Sequence, residues 1–236
     1  MGLDWLWAGQ NIPRLAQGLW LTAQIAFISV ALSAVFGTGL GLLMRSKSRM
    51  LRWLCRLYLE TIRIVPILLW LFVLHFGFST WTGIHIDGLW VCIWVFTLWG
   101  TAEAGDLLRA ALGSIERHQR ESAQALGLSA RQVFFFIEAP QALRRVLPGM
   151  INLFTRMVKT TSLAALIGVI EIIKVGQQLI ENSLLSAKHS GALADSGLSG
   201  VVNASLWVYG LIFILYFLIC YPLSLWASRL EKRWES

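Results

Sequence analysis

Residues 15–44 contain no charged side chain. A helix needs roughly 20 predominantly apolar residues to cross the hydrocarbon of a bilayer, and this stretch is longer. Composition agrees with a membrane setting. Hydrophobic residues make up 56% of the 236 and charged residues 14%, where a soluble domain carries roughly 25% charged. Within the run, Ser29, Ser33, Gly37 and Gly41 recur every four residues. Small residues at that spacing let a second helix approach closely; a helix rich in Gly, Ala and Ser also produces the spacing by chance.

Further apolar runs follow, separated by charge, and together they predict an all-α chain of about five transmembrane helices in a single domain, 1–236. The spans are expected near 15–44, 57–78, 88–112, 146–175 and 201–228. Arg45, Lys47, Arg49, Arg52 and Arg56 follow the first run. Arg117, Arg120, Arg131, Arg144 and Arg145 follow the third, and Arg229, Lys232 and Arg233 end the chain. Cytoplasmic loops are rich in Lys and Arg, so these three segments are read as cytoplasmic. The loop 79–87 has no Lys or Arg and is read as outward. The polar stretch 181–200 is also read as outward, with a short helix leading into it. The N-terminus then lies outside and the C-terminus inside. The segment 1–18 lacks a basic n-region and a short apolar core, so the first run is expected to remain as a span. The fourth region holds Pro148, Arg156, Lys159 and Gly168 and is read as a bent or broken helix. Trp20, Trp81, Trp90, Trp207 and Trp226 near span ends suit interfacial anchoring.

The net charge of +7 is placed between apolar runs, with no basic face of a soluble fold to fit nucleic acid. Cys55, Cys92 and Cys220 form no CxxC or disulfide framework. The four histidines are scattered, and no H-E-x-x-H occurs. No catalytic, metal or cofactor site is read from the chain.

The largest cytoplasmic loop, about 113–145, carries Glu121-Ser122-Ala123, then Gly127, then Ile137 and Pro140. With background usage of roughly 5–9% per residue type, those five fixed positions match by chance about once in a million starts. The stretch 121–128 is built of helix formers. Gly127 suits a left-handed helix end, Ser129 suits the N-cap of a second helix, and Pro140 is expected to stop that second helix. A short exposed helix of this kind can dock on a partner and pull on the spans at both its ends.

This loop resembles the EAA loop of the inner-membrane permeases of ABC importers, whose pattern is E-A-A-x3-G-x9-I-x-L-P. Ser122 replaces the central Ala and Ala139 the Leu. Flanking stretches resemble the polar amino-acid branch of that family. Pro140-Gln-Ala-Leu-Arg144 with Leu147-Pro148 matches its P-Q-A-L-R…L-P. Lys159-Thr160-Thr161-Ser162-Leu163 is similar to K-D-T-S-L, with Thr160 for Asp. Tyr58-Leu-Glu60-Thr-Ile-Arg63 with Pro66 is similar to Y-x-E-x-x-R-G-T-P without the Gly-Thr. The resemblance covers roughly residues 12–230. It implies a permease subunit in a bacterial inner membrane that moves a polar amino acid and performs no catalysis itself. Glu121, Ser122, Ala123, Leu126, Gly127 and Leu128 would contact a cytoplasmic ATPase dimer, with Ile137 and Pro140 shaping the loop. ATP and Mg would be bound by that ATPase; this chain has no G-x4-G-K-S/T phosphate loop, and no Lys follows a Gly anywhere in it. A second permease, identical or paralogous, and an extracytoplasmic substrate-binding protein would complete the importer.

Ionisable residues within spans are costly and mark functional positions. Glu103 and Asp106 share a helix face, and Arg109 continues it. Where the family has A-Y-x-A-E-x-x-R, this chain places Glu103 near the aromatic position and Asp106 at the Glu. Arg63, Arg156 and Lys159 are complementary cations, beside Thr161 and Ser162. A path lined by both signs suits an amino acid, which carries both, with Glu103 favouring a cationic group. Interfacial snorkelling by Arg63, an internal Asp106–Arg109 pair and simple bracing of the helix break by Lys159 are the plainer readings. An importer of another small polar solute, an intramembrane enzyme using Glu103 and Asp106 as acid and base, and a passive channel are the alternatives. The last two leave the docking loop unexplained.

Overall fold

The computed structural model describes residues 11–189 and 197–235, so Met1–Gln10 and part of the expected outward loop 181–200 lie outside the described residues. Among the described residues eight helices occur in order: α1 (Asn11–Leu43), α2 (Arg49–Ile64), α3 (Ile67–Thr82), α4 (Gly88–Gly113), α5 (Arg117–Ala125), α6 (Ala130–Ile167), α7 (Ile172–His189) and α8 (Gly197–Glu235). Among the described residues there is no strand. Of the described helices, three are long and apolar enough to cross a membrane alone, and there are up to five spans if the bent pairs α2–α3 and α6–α7 each count as one.

The four small residues of α1 form its contact with α4. Ser29, Ser33, Gly37 and Gly41 are all buried. Ser29 Oγ donates to Ile93 O at 3.5 Å and Ser33 Oγ to Thr97 O at 3.2 Å. A Cβ on Gly37 would lie 2.6 Å from that of Ala104, and one on Gly41 would lie 2.8 Å from Gly105 O. Partner numbers rise together along both helices, so α1 and α4 run parallel. α6 runs antiparallel to α4: a Cβ on Gly149 would meet Leu107, while Arg156 reaches Glu103 and Met157 lies against Gly100. The apolar centre between these helices includes Ile25, Leu71, Phe96 and Met157, all fully buried.

The second expected span, 57–78, is not one straight helix. α2 and α3 meet at a 95° bend. The cause is local: Pro66 has no N–H and forces the preceding residue out of the helical region, and Val65 is extended at φ −80°, ψ 124°. α2 consequently crosses α4 near residues 98–106, where Tyr58 donates to Leu98 O at 2.6 Å and Arg63 reaches Glu103 and Asp106.

The fourth expected span is broken, as its composition predicts, but the break falls at one place only. α6 tightens to a 3-10 helix over Thr161–Ile167, turns at Gly168 with φ +86°, and restarts as α7 after a 48° bend. Pro148 lies inside α6 without ending it. Nor does Pro140 stop a helix. α6 passes through it, because a π turn over Phe134–Glu138 comes just before it and Ala139 N–H donates to Phe134 O, five residues back. The proline then occupies the start of the next α-helical stretch, where a missing donor costs least.

Candidate functional site

The motif loop folds as helix, left-handed turn and helix. The first helix lies earlier than 121–128: α5 covers Arg117–Ala125. Gly127 adopts φ +88°. Its N–H donates to Gln124 O at 2.9 Å, and the Leu128 N–H donates to Ala123 O at 3.1 Å, the pair of bonds that closes a helix through a left-handed residue. A Cβ here would touch nothing within 4 Å, so the backbone angle, not crowding, calls for glycine. Ser129 then caps α6. Its Oγ accepts from Gln132 N–H at 3.4 Å, and Gln132 Oε1 accepts from Ser129 N–H at 2.8 Å, a reciprocal capping box.

This geometry divides the motif residues by exposure. Ala123 is buried under α5, Ser122 and Leu128 are half-buried, and Glu121 and Gly127 face solvent. Leu126 stands 82% exposed at the tip, an apolar side chain on an otherwise polar helix. Glu121 pairs with Arg117 at 2.6 Å, but both are solvated, so the pair contributes little stability. The helix is held from below instead. Gln141 Nε2 donates to Gln119 Oε1 at 2.8 Å, Arg120 Nη2 to Leu112 O at 2.8 Å, and Arg145 Nη1 to Ser114 Oγ at 2.5 Å. Ile137 is half-buried in the π turn and Pro140 is exposed. Beside them Glu138, which sequence reasoning passed over, is buried against Arg45 and Arg120.

The span charges assemble into one chain of ion pairs across α2, α4 and α6. Arg156 Nη2 contacts Glu103 Oε2 at 2.8 Å, and Arg63 Nε contacts Glu103 Oε1 at 3.2 Å. Arg63 Nη2 contacts Asp106 Oδ2 at 2.8 Å, and Arg109 Nη2 contacts Asp106 Oδ1 at 2.6 Å. Both carboxylates are thus engaged through both oxygens, and three guanidiniums face two carboxylates. The Arg156 guanidinium also lies 5.6 Å from the Trp99 ring centre, within cation–π range. The three arginine side chains are 40–50% exposed. A cavity of about 450 Å³ opens beside Arg63, Asp106 and Arg109, lined also by Arg52, Arg56 and Glu60.

Lys159, Thr161 and Ser162 lie outside this chain of pairs. Lys159 is exposed. Thr161 Oγ1 donates to Val158 O at 2.7 Å and Ser162 Oγ to Lys159 O at 2.9 Å. These hydroxyls donate to carbonyls of the preceding turn where the helix tightens. Glu171 is a second residue not singled out from sequence. It is fully buried at the start of α7, its Oε1 accepts from Lys174 N–H at 3.0 Å, and Thr22 Oγ1 of α1 lies 3.4 Å from its Oε2. The available signal was an acid just ahead of a new periodic segment, a helix-start pattern.

Residues 37–236 match the family described as binding-protein-dependent transport system inner membrane component. A Bacillus subtilis (strain 168) protein described as "Probable glutamine ABC transporter permease protein" is 34% identical over 224 residues, covering 95% of each chain. The glutamate transport system permease protein GluD of Corynebacterium glutamicum is 31% identical over 218 residues, 92% of this chain and 73% of that one. A solved structure, described as an amino acid ABC transporter with histidines, superposes with a TM-score of 0.80 at 21% identity, over 99% of this chain and 100% of that one.

Proposed function

The chain belongs to the inner membrane components of binding-protein-dependent transport systems, and on that basis we propose that it is the membrane subunit of an ATP-driven importer for a polar amino acid. The observation that carries the coupling to an ATPase is the capped helix α5, with Leu126 projecting at its tip and Gly127 closing it. In this reading α5 docks in a groove of a cytoplasmic ATPase that binds ATP and Mg. The ends of α1 and α4 share its side of the membrane, and the N-terminus lies opposite. A substrate-binding protein delivers the solute from outside, and a second permease, identical or paralogous, covers the charged face of α2, α4 and α6. Closure of the ATPase dimer displaces α5, and the spans alternate their access in response.

The ion-pair chain supports an amino acid as cargo on chemical grounds. A zwitterion can enter the Glu103–Arg156 pair without changing net charge, its ammonium on Glu103 and its carboxylate on Arg156. The exchange needs water or protein around it, which half-exposed guanidiniums at span depth also require.

The test is reconstitution in nanodiscs with the ATPase and binding protein encoded beside it, with ATP hydrolysis measured against each proteinogenic amino acid. Stimulation by one or a few is expected. Failure to assemble with the ATPase would remove the reading; assembly without stimulation by any amino acid would remove the cargo and leave the importer.

A further inference from the structure

Glu138 closes the π turn of α6, with a side chain only 7% exposed. Its two oxygens face different cations from different parts of the chain. Oε2 accepts from Arg45 Nη1 at 2.8 Å, and Oε1 lies 2.5 Å from Arg120 Nε. Arg120 belongs to α5 and also holds the last turn of α4 through Leu112 O. Arg45 follows α1 and immediately precedes α2, which begins at Arg49. One carboxylate therefore ties α5 and α6 to the turn between α1 and α2.

The connectivity makes this tie informative. α4 and α6 are joined to α5 through short covalent links, so a displaced α5 pulls on both directly. The α1–α2 turn has no such link. α2 in turn carries Arg63, which grips Glu103 and Asp106. A buried carboxylate is costly unless it is paired, and this one is paired to the two groups that would carry the motion. A cavity of about 380 Å³ lined by Arg45, Arg120, Gln124, Phe134 and Glu138 leaves room for the three side chains to shift together.

We propose that Glu138 is a positioning residue that transmits displacement of α5, through Arg120 and Arg45, to α2 and its ion pairs. The inference rests on the importer reading and adds to it the route by which the second span follows the coupling helix. The test measures the coupling itself.

The importer, assembled with its ATPase and binding protein in proteoliposomes, is compared as wild type, Glu138→Gln, Glu138→Leu, Arg45→Met and the Arg45→Met, Glu138→Leu double variant. The cargo is the amino acid that stimulates the wild type most. Expected are normal assembly, retained basal ATP hydrolysis, and uptake per ATP lowered about tenfold in each single variant. The double variant should be no worse than Glu138→Leu, because both changes cut one link. Arg45→Met leaves Glu138 paired with Arg120, so it remains informative if the Glu138 variants fail to fold. Unchanged uptake per ATP in the variants that assemble, or independent additive losses, overturns the proposal while the importer reading stands. A wild type that neither assembles with the ATPase nor responds to any amino acid overturns both.

Discussion

At Gly127 the requirement is set by a backbone angle. With φ at +88° and open space around the missing Cβ, replacement cost follows left-handed preference, about 1–2 kcal/mol for an ordinary L-residue. Asn tolerates that region better than most, and β-branched residues tolerate it least. Uptake by the reconstituted importer is therefore expected to rank wild type, Gly127→Asn, Gly127→Ala, Gly127→Val. A Val variant as active as wild type would mean the turn does not shape the docking surface. Glu103 poses a different question, because its carboxylate holds two guanidiniums at once. Glu103→Gln leaves Arg63 its Asp106 partner but removes the carboxylate opposite Arg156, and should lower uptake strongly. Arg156→Met leaves Glu103 still held by Arg63 and should act mainly on cargo affinity, raising KM by about 10-fold or more if it receives the carboxylate, since hydrogen bonds to charged groups contribute roughly 1.5–3 kcal/mol. An Arg156→Met importer with unchanged KM would place the carboxylate elsewhere.

At the scale of elements, two features decide how the helices lie. The α1–α4 seam depends on Gly100, where an added Cβ would overlap Ser33 Oγ and sit 2.8 Å from Met157 Cε. Gly100→Leu is expected to lower stability by about 1–3 kcal/mol through overpacking, read as a drop in Tm in detergent. Gly39→Leu, on the same α1 but with nothing within 4 Å, should melt close to wild type. The restart at α7 depends on Glu171, which accepts from the third N–H of the helix and meets Thr22 of α1. Glu171→Gln keeps an acceptor oxygen and should change Tm little. Glu171→Leu removes the cap, which typically stabilises by about 1 kcal/mol, and takes the acceptor from Lys174 N–H, while the Thr22 hydroxyl keeps Gly18 O. Equal melting of the two variants would show that the cap does not hold the break.

For the whole molecule, the distribution of polar surface separates two exposed faces. α8 shows apolar side chains such as Phe213, 71% exposed, which suit lipid. The α2–α4–α6 face shows half-exposed arginine side chains, which lipid does not accommodate. In the assembled importer, cysteines at Arg63 and Arg156 are expected to react with a water-soluble thiol reagent, and a cysteine at Phe213 is not. The native cysteines Cys55, Cys92 and Cys220 are buried and give a low background. Labelling at Phe213 but not at Arg63 would reverse the assignment of faces.

Residue order alone determined the helical class, the apolar runs, the Gly127 turn and the Ser129 cap, and offered the small-residue face of α1 that the fold turned into a seam. These are written in local terms: run length, side-chain period and the φ preferences of single residues. Tertiary structure decided the rest. Whether Pro66 merely interrupts a span or turns it by 95° depends on what α2 finds to pack against. The missing N–H of Pro140 predicts a helix stop from sequence, whereas the π turn that absorbs it leaves no local signal. Arg63 and Arg156 stand out in the sequence as complementary cations, but lying 40 and 53 residues from Glu103 they give no sign of pairing with it directly. Glu138 and Glu171 likewise have partners distant in sequence. A buried acid is defined by the partners that surround it, and those partners come from helices brought together only when the chain folds.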